Sequence, residues 1–240
     1  MARKPTREKF KTYQDVFDEQ TLRVVFELGS KGYFEDLKSP VSIGKESNIF
    51  SAVGKDGGYL AVKIYRVNVC DFKKMYTYIR GDPRFKGLNS QKRKVIYAWA
   101  QREFRNLMAA RDAGISAPKP IAVMQNILLM EFIGENNDAA PKLKDKLPKD
   151  IKKFGKEVIK QMKLMYKADL IHVDLSEFNI LNYNEKPILI DLSHSVKSNY
   201  PGALDLLRRD VVNVCNYFNS KGLKIDADNI FKEITGKKEL

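Results

Sequence analysis

Three polar side chains in the last third of the chain have types and a spacing suited to phosphoryl transfer. Asp174 stands five residues before Asn179, and Asp191 follows twelve residues later, directly after an apolar run. The apolar, turn, apolar pattern over 180–190 predicts a short hairpin, which would bring Asn179 and Asp191 together. Their side-chain oxygens could hold Mg²⁺ on nucleotide phosphates. Asp174 would then be left to accept a proton from, or to orient, the attacking group.

A lysine and a glutamate further upstream could form a phosphate-binding pair. Lys63 is flanked by apolar residues in the predicted strand 59–65, like the Val-Ala-Ile-Lys strand that presents an ammonium to the α- and β-phosphates of ATP. A long helix is predicted over 90–113, ended by Gly114, and Glu103 is its only glutamate. Apolar residues bracket Glu103, so it could lie at the edge of a buried face and require a partner charge. A solvent-facing lysine and a surface glutamate are the alternatives.

Residues 40–65 are predicted to form a β-meander, with a turn at 55–58. Gly44 falls in the first hairpin, where a backbone without a side chain would let phosphates approach. The segment is neither a Walker A sequence nor a three-glycine loop, and an ordinary hairpin turn is the alternative.

A second pair of strands is predicted over 123–134, meeting at residues 125–126. The exit from these strands resembles a kinase hinge, in which backbone groups near Glu131 and Ile133 would bind the adenine edge. Helices are predicted at 18–28, 150–167 and 204–218, with a short one after Asp226.

The composition is strongly basic, with 43 Lys and Arg against 30 Asp and Glu and a formal net charge of +13. The excess is concentrated in residues 66–94, with a net charge of +7, and in residues 142–156, with +5. Such charge favours a polyanionic partner such as RNA, and a solvated face is the alternative. The N-terminal residues 1–9 are basic with no apolar stretch behind them, no run approaches a membrane span, and the two cysteines have unlike contexts. We expect a reduced, cytoplasmic protein without membrane insertion.

Taken together, these segments resemble the RIO family of atypical serine/threonine protein kinases, and more closely its type-one branch in archaeal form. The resemblance is carried by Ser42-Ile-Gly-Lys-Glu-Ser47, Ala61-Val-Lys-Ile-Tyr-Arg66, Trp99 with Glu103-Phe-Arg-Asn-Leu107, Leu128-Leu-Met-Glu-Phe-Ile-Gly134 and His172-Val-Asp-Leu-Ser-Glu-Phe-Asn179.

The resemblance implies an α+β, two-lobed kinase-like fold with a β-rich N-lobe and a helical, truncated C-lobe. The expected divisions are an N-terminal helical accessory segment (1–38), an N-lobe (39–131) containing a basic flexible loop (66–90), and a C-lobe (132–240). By the same resemblance, Asp174 is the catalytic-loop aspartate, and Asn179 and Asp191 hold the metal. Lys63 pairs with Glu103 and phosphate, the hairpin with Gly44 and Ser47 contacts phosphate, and Glu131 and Ile133 are hinge contacts.

The family also implies ATP and Mg²⁺, with Mn²⁺ as a substitute metal, and a transient aspartyl phosphate on Asp191. The partner would be a small-subunit pre-ribosome with its rRNA, and the protein substrate stays open. Ile43 and Ser47 depart from the usual type-one Ser-Thr-Gly-Lys-Glu-Ala loop, which makes the phosphate contacts of this loop less certain. Ser90, at the end of the basic loop, is a hypothetical autophosphorylation site.

Only 49 residues follow Asp191, and no Ala-Pro-Glu closes an activation segment. The resemblance implies ATP-dependent phosphoryl transfer, as a kinase, an ATPase or both, in maturation of the small ribosomal subunit. A small-molecule kinase of aminoglycoside phosphotransferase type and a non-catalytic RNA-binding module are the alternatives.

Overall fold

The computed structural model describes residues 17–236, so the basic residues 1–9 lie outside the described part of the chain. Two compact units are present. The first contains the described residues up to Phe104 together with Lys119–Ala139, and the second contains Arg105–Pro118 together with the described residues from Ala140 onward. The first unit combines a β-sheet with helices and the second is mainly helical, so the predicted α+β composition is confirmed.

The first unit is built on a five-stranded antiparallel sheet with the order β1-β2-β3-β5-β4. Its strands are β1 (Asp36–Ile43), β2 (Ser47–Val53), β3 (Tyr59–Tyr65), β4 (Pro120–Met124) and β5 (Ile127–Glu131). The edge strand β1 tolerates Pro40 because the pairing register shifts on both sides of it. The accessory segment was predicted to extend to residue 38, which is wrong at its end because β1 begins at Asp36.

The two faces of this sheet have different partners. Helix α1 (Glu19–Ser30) begins at Asp18, whose side chain accepts a hydrogen bond from the Thr21 N–H at 2.8 Å. Its apolar residues share one buried cluster with Val62 and Ile64 of β3. Because side chains alternate along a strand, Lys63 and Tyr65 point to the opposite face, and Tyr65 joins a second cluster that includes Trp99.

Residues 66–90 were predicted to be a loop, and this prediction is wrong for the middle of the segment. Helix α2 (Phe72–Arg80) forms there because Asp71 caps it and its apolar residues at helical spacing, Met75 and Ile79, are buried. The following helix, α3 (Lys92–Asp112), was predicted within two residues at each end.

The second unit contains three helices and a hairpin. The helices are α4 (Ile151–Lys167), α5 (Ala203–Ser220) and α6 (Ala227–Thr235), all close to the predicted ranges. The hairpin is formed by β8 (Ile180–Tyr183) and β9 (Lys186–Leu189), while the short strands β6 (Gly134–Glu135) and β7 (Asp138–Ala139) belong to the first unit. Among residues 17–236, the helices are all too short or too polar to span a bilayer.

The turn between β8 and β9 contains two residues. Only Asn184 and Glu185 lie outside the strands, with φ of 51° and 61°, because Asn182 pairs with Pro187 and Tyr183 pairs with Lys186. Two central residues with positive φ are typical of the two-residue hairpin turn whose twist matches that of the flanking strands. The hairpin itself is confirmed.

Candidate active site

Lys63 and Glu103 form a buried ion pair in the first unit. The Lys63 ammonium on β3 donates to Glu103 Oε1 at 2.7 Å, and the exposed fractions of the two side chains are 3% and 1%. Tyr65, two residues along β3, donates from its hydroxyl to Glu103 Oε2. Both carboxylate oxygens of Glu103 therefore accept a hydrogen bond from β3.

This burial excludes the two surface alternatives for Lys63 and Glu103. An isolated charge in an apolar interior is strongly disfavoured, so each member of the pair makes the other tolerable there. An ammonium has three N–H donors, and a lysine held by a carboxylate can also bind phosphate oxygens. The predicted pairing is thus present in the structure, and the contact of Lys63 with phosphate remains a prediction.

The β1–β2 hairpin contains Gly44 and Ser47. The Gly44 N–H donates to the Ser47 carbonyl oxygen at 3.0 Å, and a Cβ added at Gly44 would lie 2.9 Å from that oxygen. Glycine is therefore required by close packing in this turn. Arg66 donates from Nη1 to the Gly44 carbonyl oxygen at 3.4 Å, which places a guanidinium at the hairpin. Contact of this hairpin with phosphates stays a prediction.

Glu131 and Ile133 lie at the end of β5 and just after it. The Glu131 N–H donates to the Lys119 carbonyl at 2.8 Å, and the Glu131 carboxylate accepts from the Lys119 N–H at 3.0 Å. The Glu131 N–H is therefore occupied, and adenine binding by the backbone near Glu131 and Ile133 remains a prediction. The structure places both predicted hinge residues on one short segment beside Met130.

Asp174, Asn179 and Asp191 lie together in the second unit. The Asn179 side-chain amide donates to the Asp174 carbonyl at 2.8 Å and to Asp174 Oδ2 at 3.0 Å. The Ile190 N–H donates to the Asn179 carbonyl at 3.0 Å, so the strand leading to Asp191 is fixed beside Asn179. Asp174 is exposed and the other two are half-buried. The hairpin thus brings the backbone that leads to Asp191 beside Asn179, and a metal shared by Asn179 and Asp191 remains a prediction.

The loop that contains Asp174 is held by Asp210 on α5. Sequence reasoning missed this residue. Asp210 is 1% exposed and accepts from the Val173 N–H at 2.7 Å and the Leu175 N–H at 3.0 Å. Val173 has a φ of 75°, a strained conformation for a β-branched residue, and Arg209 donates to its carbonyl oxygen. Burial raises the pKa of Asp210, although the charge of His172 and the two backbone hydrogen bonds act to lower it.

His172 lies two residues before Asp174 and makes a hydrogen bond to the strand end that precedes Asp191. Its Nε2 lies 3.0 Å from the Ile190 carbonyl oxygen, which joins the start of the catalytic loop to the residue before Asp191. The ring is 2% exposed. A buried imidazole at this place has a structural role rather than a proton-transfer role.

Asp191 has a left-handed backbone conformation, with φ of 60°, and begins the short 3₁₀ turn Leu192–His194. The Ser193 hydroxyl donates to Asp191 Oδ1 at 2.7 Å. On the other side of this turn, the Asn106 side-chain amide donates to the carbonyls of Leu192 and Ser195 at 2.8 and 3.1 Å. The turn that presents Asp191 is therefore fixed at both ends.

The donor set of this cluster fits Mg²⁺ carried by a nucleotide. Among residues 17–236, no group of three or more His, Cys, Asp or Glu side chains is arranged to hold a metal. Protein sites for Mg²⁺ with nucleotides use one or two carboxylates and fill the other positions with phosphate and water. Asn179 and Asp191 supply an amide oxygen and a carboxylate, and no described residue donates a hydrogen bond to that amide oxygen.

Ser90 is exposed and lies two residues before the start of α3, so it is accessible as the autophosphorylation hypothesis requires. The two cysteines, Cys70 and Cys215, are buried free thiols. Burial raises the pKa of both to about 11, with Glu46 acting on Cys70 and Asp226 on Cys215 in the same direction. A thiol with a pKa this high is protonated at neutral pH.

Sequence reasoning assigned no role to several residues near the predicted site, among them Tyr65, Arg66, Asp210 and Ser193. Tyr65 and Arg66 lie within the quoted Ala61–Arg66 string, so their proximity to Lys63 was the available signal. The signal for Asp210 was weaker: it is an aspartate at an apolar position of a predicted helix. Neither signal identifies the partner of the side chain.

Comparison with known proteins identifies the family of this chain. The RIO domain model matches residues 48–230. The RIO-type serine/threonine-protein kinase Rio1 of Methanocaldococcus jannaschii is 43% identical over 231 residues, covering 96% of this chain and 79% of the relative. Rio1 of Haloferax volcanii is 39% identical, covering 95% of this chain and 79% of the relative.

Solved structures give the same fold. The Rio2 kinase of Chaetomium thermophilum, in an ADP/Mg²⁺-phosphoaspartate complex, aligns with a TM-score of 0.67 at 21% identity. The alignment covers 88% of this chain and 65% of that one, and it bears on the fold alone. The sheet-based first unit and the helical second unit are thus the two lobes of a kinase-like fold. With a RIO domain over most of its length and archaeal Rio1 relatives covering nearly all of it, this chain belongs to the type-one branch of the RIO serine/threonine-protein kinases.

Proposed function

We propose that this chain uses ATP and Mg²⁺ to phosphorylate serine or threonine hydroxyls, that it also hydrolyses ATP, and that it acts in maturation of the small ribosomal subunit. The observation that carries the catalytic part is the cluster of Asp174, Asn179 and Asp191. Asn179 donates to Asp174 Oδ2 at 3.0 Å, and the Ile190 N–H donates to the Asn179 carbonyl at 3.0 Å, which holds the residue before Asp191 beside Asn179. The family supplies the ribosomal part, and the basic charge agrees with it.

In the kinase reaction, the Asp174 carboxylate accepts the proton of the attacking hydroxyl. The hydroxyl oxygen forms a bond to the γ-phosphorus, the bond from that phosphorus to the β-γ bridging oxygen breaks, and ADP leaves. The Asn179 amide holds Asp174 Oδ2 at 3.0 Å and so limits its rotation. Asp174 is exposed, which a group that must meet a substrate hydroxyl requires.

In the ATPase reaction, we propose that a carboxylate oxygen of Asp191 attacks the γ-phosphorus, ADP leaves, and water then hydrolyses the aspartyl phosphate. The Ser193 hydroxyl holds Asp191 Oδ1 at 2.7 Å and thereby restricts the orientation of the carboxylate. The Rio2 kinase of Chaetomium thermophilum was solved with a phosphoaspartate, which supports this chemistry for the fold.

Mg²⁺, or Mn²⁺ in its place, would be held by Asn179 and Asp191 and would neutralise charge on the phosphates. Lys63 would bind α- and β-phosphate oxygens through its ammonium, with its position set by Glu103. Gly44, Ser47 and Arg66 would line the phosphates, and the backbone at Glu131 and Ile133 would bind the adenine.

The second basic segment is rigidly attached beside the metal-site hairpin. The Leu143 N–H donates to the Ile180 carbonyl, and the Asn182 N–H donates to the Pro141 carbonyl, both at 2.8 Å. In the turn that follows, Leu143 is buried between the half-buried Lys142 and the exposed Lys144. Lysines presented in this way suit contacts with rRNA phosphates, whose strength would fall steeply with salt.

A cytoplasmic location is part of the proposal, because free buried thiols are typical of a reducing compartment. The two alternative functions are less well supported. The RIO domain match argues against an aminoglycoside phosphotransferase. The presence of all five of Lys63, Glu103, Asp174, Asn179 and Asp191 argues against a non-catalytic module.

The test is incubation of the purified chain with Mg²⁺ and γ-labelled ATP, following free phosphate and protein-bound label, with and without small-subunit rRNA. We expect turnover that responds to rRNA and is lost in Asp191→Asn. Protein-bound label should divide into an acid-labile acyl phosphate and acid-stable phosphoserine, and mapping the latter tests Ser90. Absence of turnover and label under every condition, despite RNA binding, would contradict the proposal and favour the non-catalytic module.

A further inference from the structure

Tyr65 occupies an unusual place among the buried polar groups of the first unit. It is 1% exposed, and its hydroxyl donates to Glu103 Oε2, while Lys63 donates to Oε1 at 2.7 Å. We propose that Tyr65 is a positioning residue that holds Glu103, and through it the phosphate-binding Lys63, and that its own position is set from helix α1. The inference rests on the proposed nucleotide-binding role of Lys63.

A glutamate held by Lys63 alone could rotate about its side-chain bonds. A carboxylate with a hydrogen bond to each oxygen, from two donors on one rigid strand, has its plane fixed as well as its distance. Lys63 and Tyr65 are two residues apart on β3 and face the same side of the sheet, so their relative position does not depend on loops. The Lys63 ammonium also lies 5.3 Å from the centre of the Tyr65 ring, within the range of a cation–π contact.

The backbone of Tyr65 is fixed in turn by Asn126, in the turn between β4 and β5. The Tyr65 N–H donates to the Asn126 carbonyl at 2.9 Å, and the Asn126 side-chain amide donates to the Tyr65 carbonyl at 2.9 Å. The same amide donates to the Thr21 hydroxyl on α1 at 3.0 Å. Thr21 and Asn126 are both nearly fully buried, so water does not compete for these bonds.

These contacts form a continuous buried path from α1 to Lys63, through Thr21, Asn126, Tyr65 and Glu103. All of its members lie in the first unit, and each step is a hydrogen bond between named atoms. Loss of the Tyr65 hydroxyl would remove the hydrogen bond that it donates to Glu103 Oε2 while leaving the aromatic packing in place. The structure therefore assigns Tyr65 an effect on nucleotide phosphate binding that its packing alone would not have.

The test compares Tyr65→Phe with Tyr217→Phe, which removes a different tyrosine hydroxyl that donates to the Leu143 carbonyl at 3.0 Å. Dissociation constants for Mg·ATP and for adenosine are measured for both variants. Loss of a hydrogen bond to a charged group predicts about a tenfold weaker affinity for ATP in Tyr65→Phe, with no change for adenosine, which lacks phosphates. Tyr217→Phe should bind both ligands as the unmodified chain does.

A double-mutant cycle with Glu103→Gln separates positioning from general damage. If Tyr65 acts through Glu103, adding Tyr65→Phe to Glu103→Gln should change ATP affinity by less than about twofold, because the contact is already lost. Multiplication of the two effects, equal losses for ATP and adenosine, or unchanged ATP affinity in Tyr65→Phe would each overturn the inference. Since the unmodified chain is measured in parallel, absence of ATP binding there would contradict the proposed function instead.

Discussion

The polar cluster of the first unit and that of the second are constructed in opposite ways. Lys63 and Glu103 are 40 positions apart, almost completely buried, and joined directly by their side chains. Asp174, Asn179 and Asp191 lie within one short stretch, are exposed or half-buried, and are held largely through backbone groups. The first cluster depends on a sheet and a helix packing correctly, whereas the second depends mainly on a loop and a hairpin.

This difference predicts that mutations in the first cluster affect mainly stability and mutations in the second affect mainly activity. A buried charge whose partner is removed is left uncompensated, so changes in the first cluster should destabilise the protein. An exposed carboxylate can be replaced at little cost to folding, so changes in the second cluster should act on nucleotide binding or turnover rather than on stability. The second unit also has a buried carboxylate, Asp210, which accepts hydrogen bonds from the backbone on both sides of the exposed Asp174.

The largest effect is expected for Asp174→Ala. Loss of the proton acceptor should lower turnover about a thousandfold, while ATP affinity and the free energy of unfolding change little. Asp191→Ala should weaken Mg·ATP binding as well, because it removes a proposed metal ligand. Steady-state kinetics and nucleotide titration check both variants, and equal ATP affinity in the two would contradict the separate roles.

For Glu103→Gln, the expected loss in the free energy of unfolding is about 3–5 kcal/mol, because the buried Lys63 ammonium loses its counter-charge. Urea denaturation measures this loss. Asp174→Asn serves as the matched control at an exposed carboxylate and should change stability by less than about 0.5 kcal/mol. The comparison between clusters fails if both variants are destabilised equally.

Asp210→Ala tests whether the buried Asp210 carboxylate holds the loop that contains Asp174. Two buried N–H groups, of Val173 and Leu175, would lose their acceptor at a cost of about 3 kcal/mol, and turnover should fall as the catalytic loop relaxes. The exposed Asp205 on the same helix provides the control through Asp205→Ala. Unchanged turnover in Asp210→Ala would show that the loop keeps its shape without this carboxylate.

The smallest effect is expected at Asp18, which lies in the first unit but takes no part in the Lys63 cluster. Burial acts to raise its pKa, but the Thr21 hydrogen bonds and the charge of Arg93 lower it below the ordinary 3.8. A carboxyl with a lowered folded-state pKa contributes stability above its unfolded-state pKa, and this stability is lost as the pH falls through the folded-state value.

Asp18→Ala should therefore cost about 1 kcal/mol at pH 7 and less as the pH falls below 4. Asp18→Asn retains a capping oxygen without the charge and should show a weaker pH dependence. Denaturation curves between pH 3 and pH 7 check both variants, with ATP affinity as a control that should not change. A large loss of ATP affinity would mean that the helix cap and the Lys63 cluster are not separate.

Most of the second cluster could be predicted from the sequence. The contacts that hold Lys63 and Glu103 in the first cluster could not. The alternation of apolar and turn residues over 180–190 specifies a hairpin locally, so the approach of Asn179 to Asp191 followed from it. The pairing of Lys63 with Glu103 could be inferred only from resemblance, and Tyr65 could not be inferred at all, because strand alternation gives the face of a side chain but not its partner across the core. The loop predicted at 66–90 contains α2, since its few apolar residues become a helical stripe only when they are packed.

The sequence by itself determined the family, the β-meander, the hairpin and the identity of the residues that could perform phosphoryl transfer. These are local properties, set by side-chain periodicity and by short motifs. The tertiary structure decided which distant groups meet: Tyr65 with Glu103, Asn126 with Thr21, and Asp210 with the backbone of the catalytic loop. The physical reason is that a buried polar group must find a partner, and the partner is selected by the packing of whole elements rather than by the residues beside it in the chain.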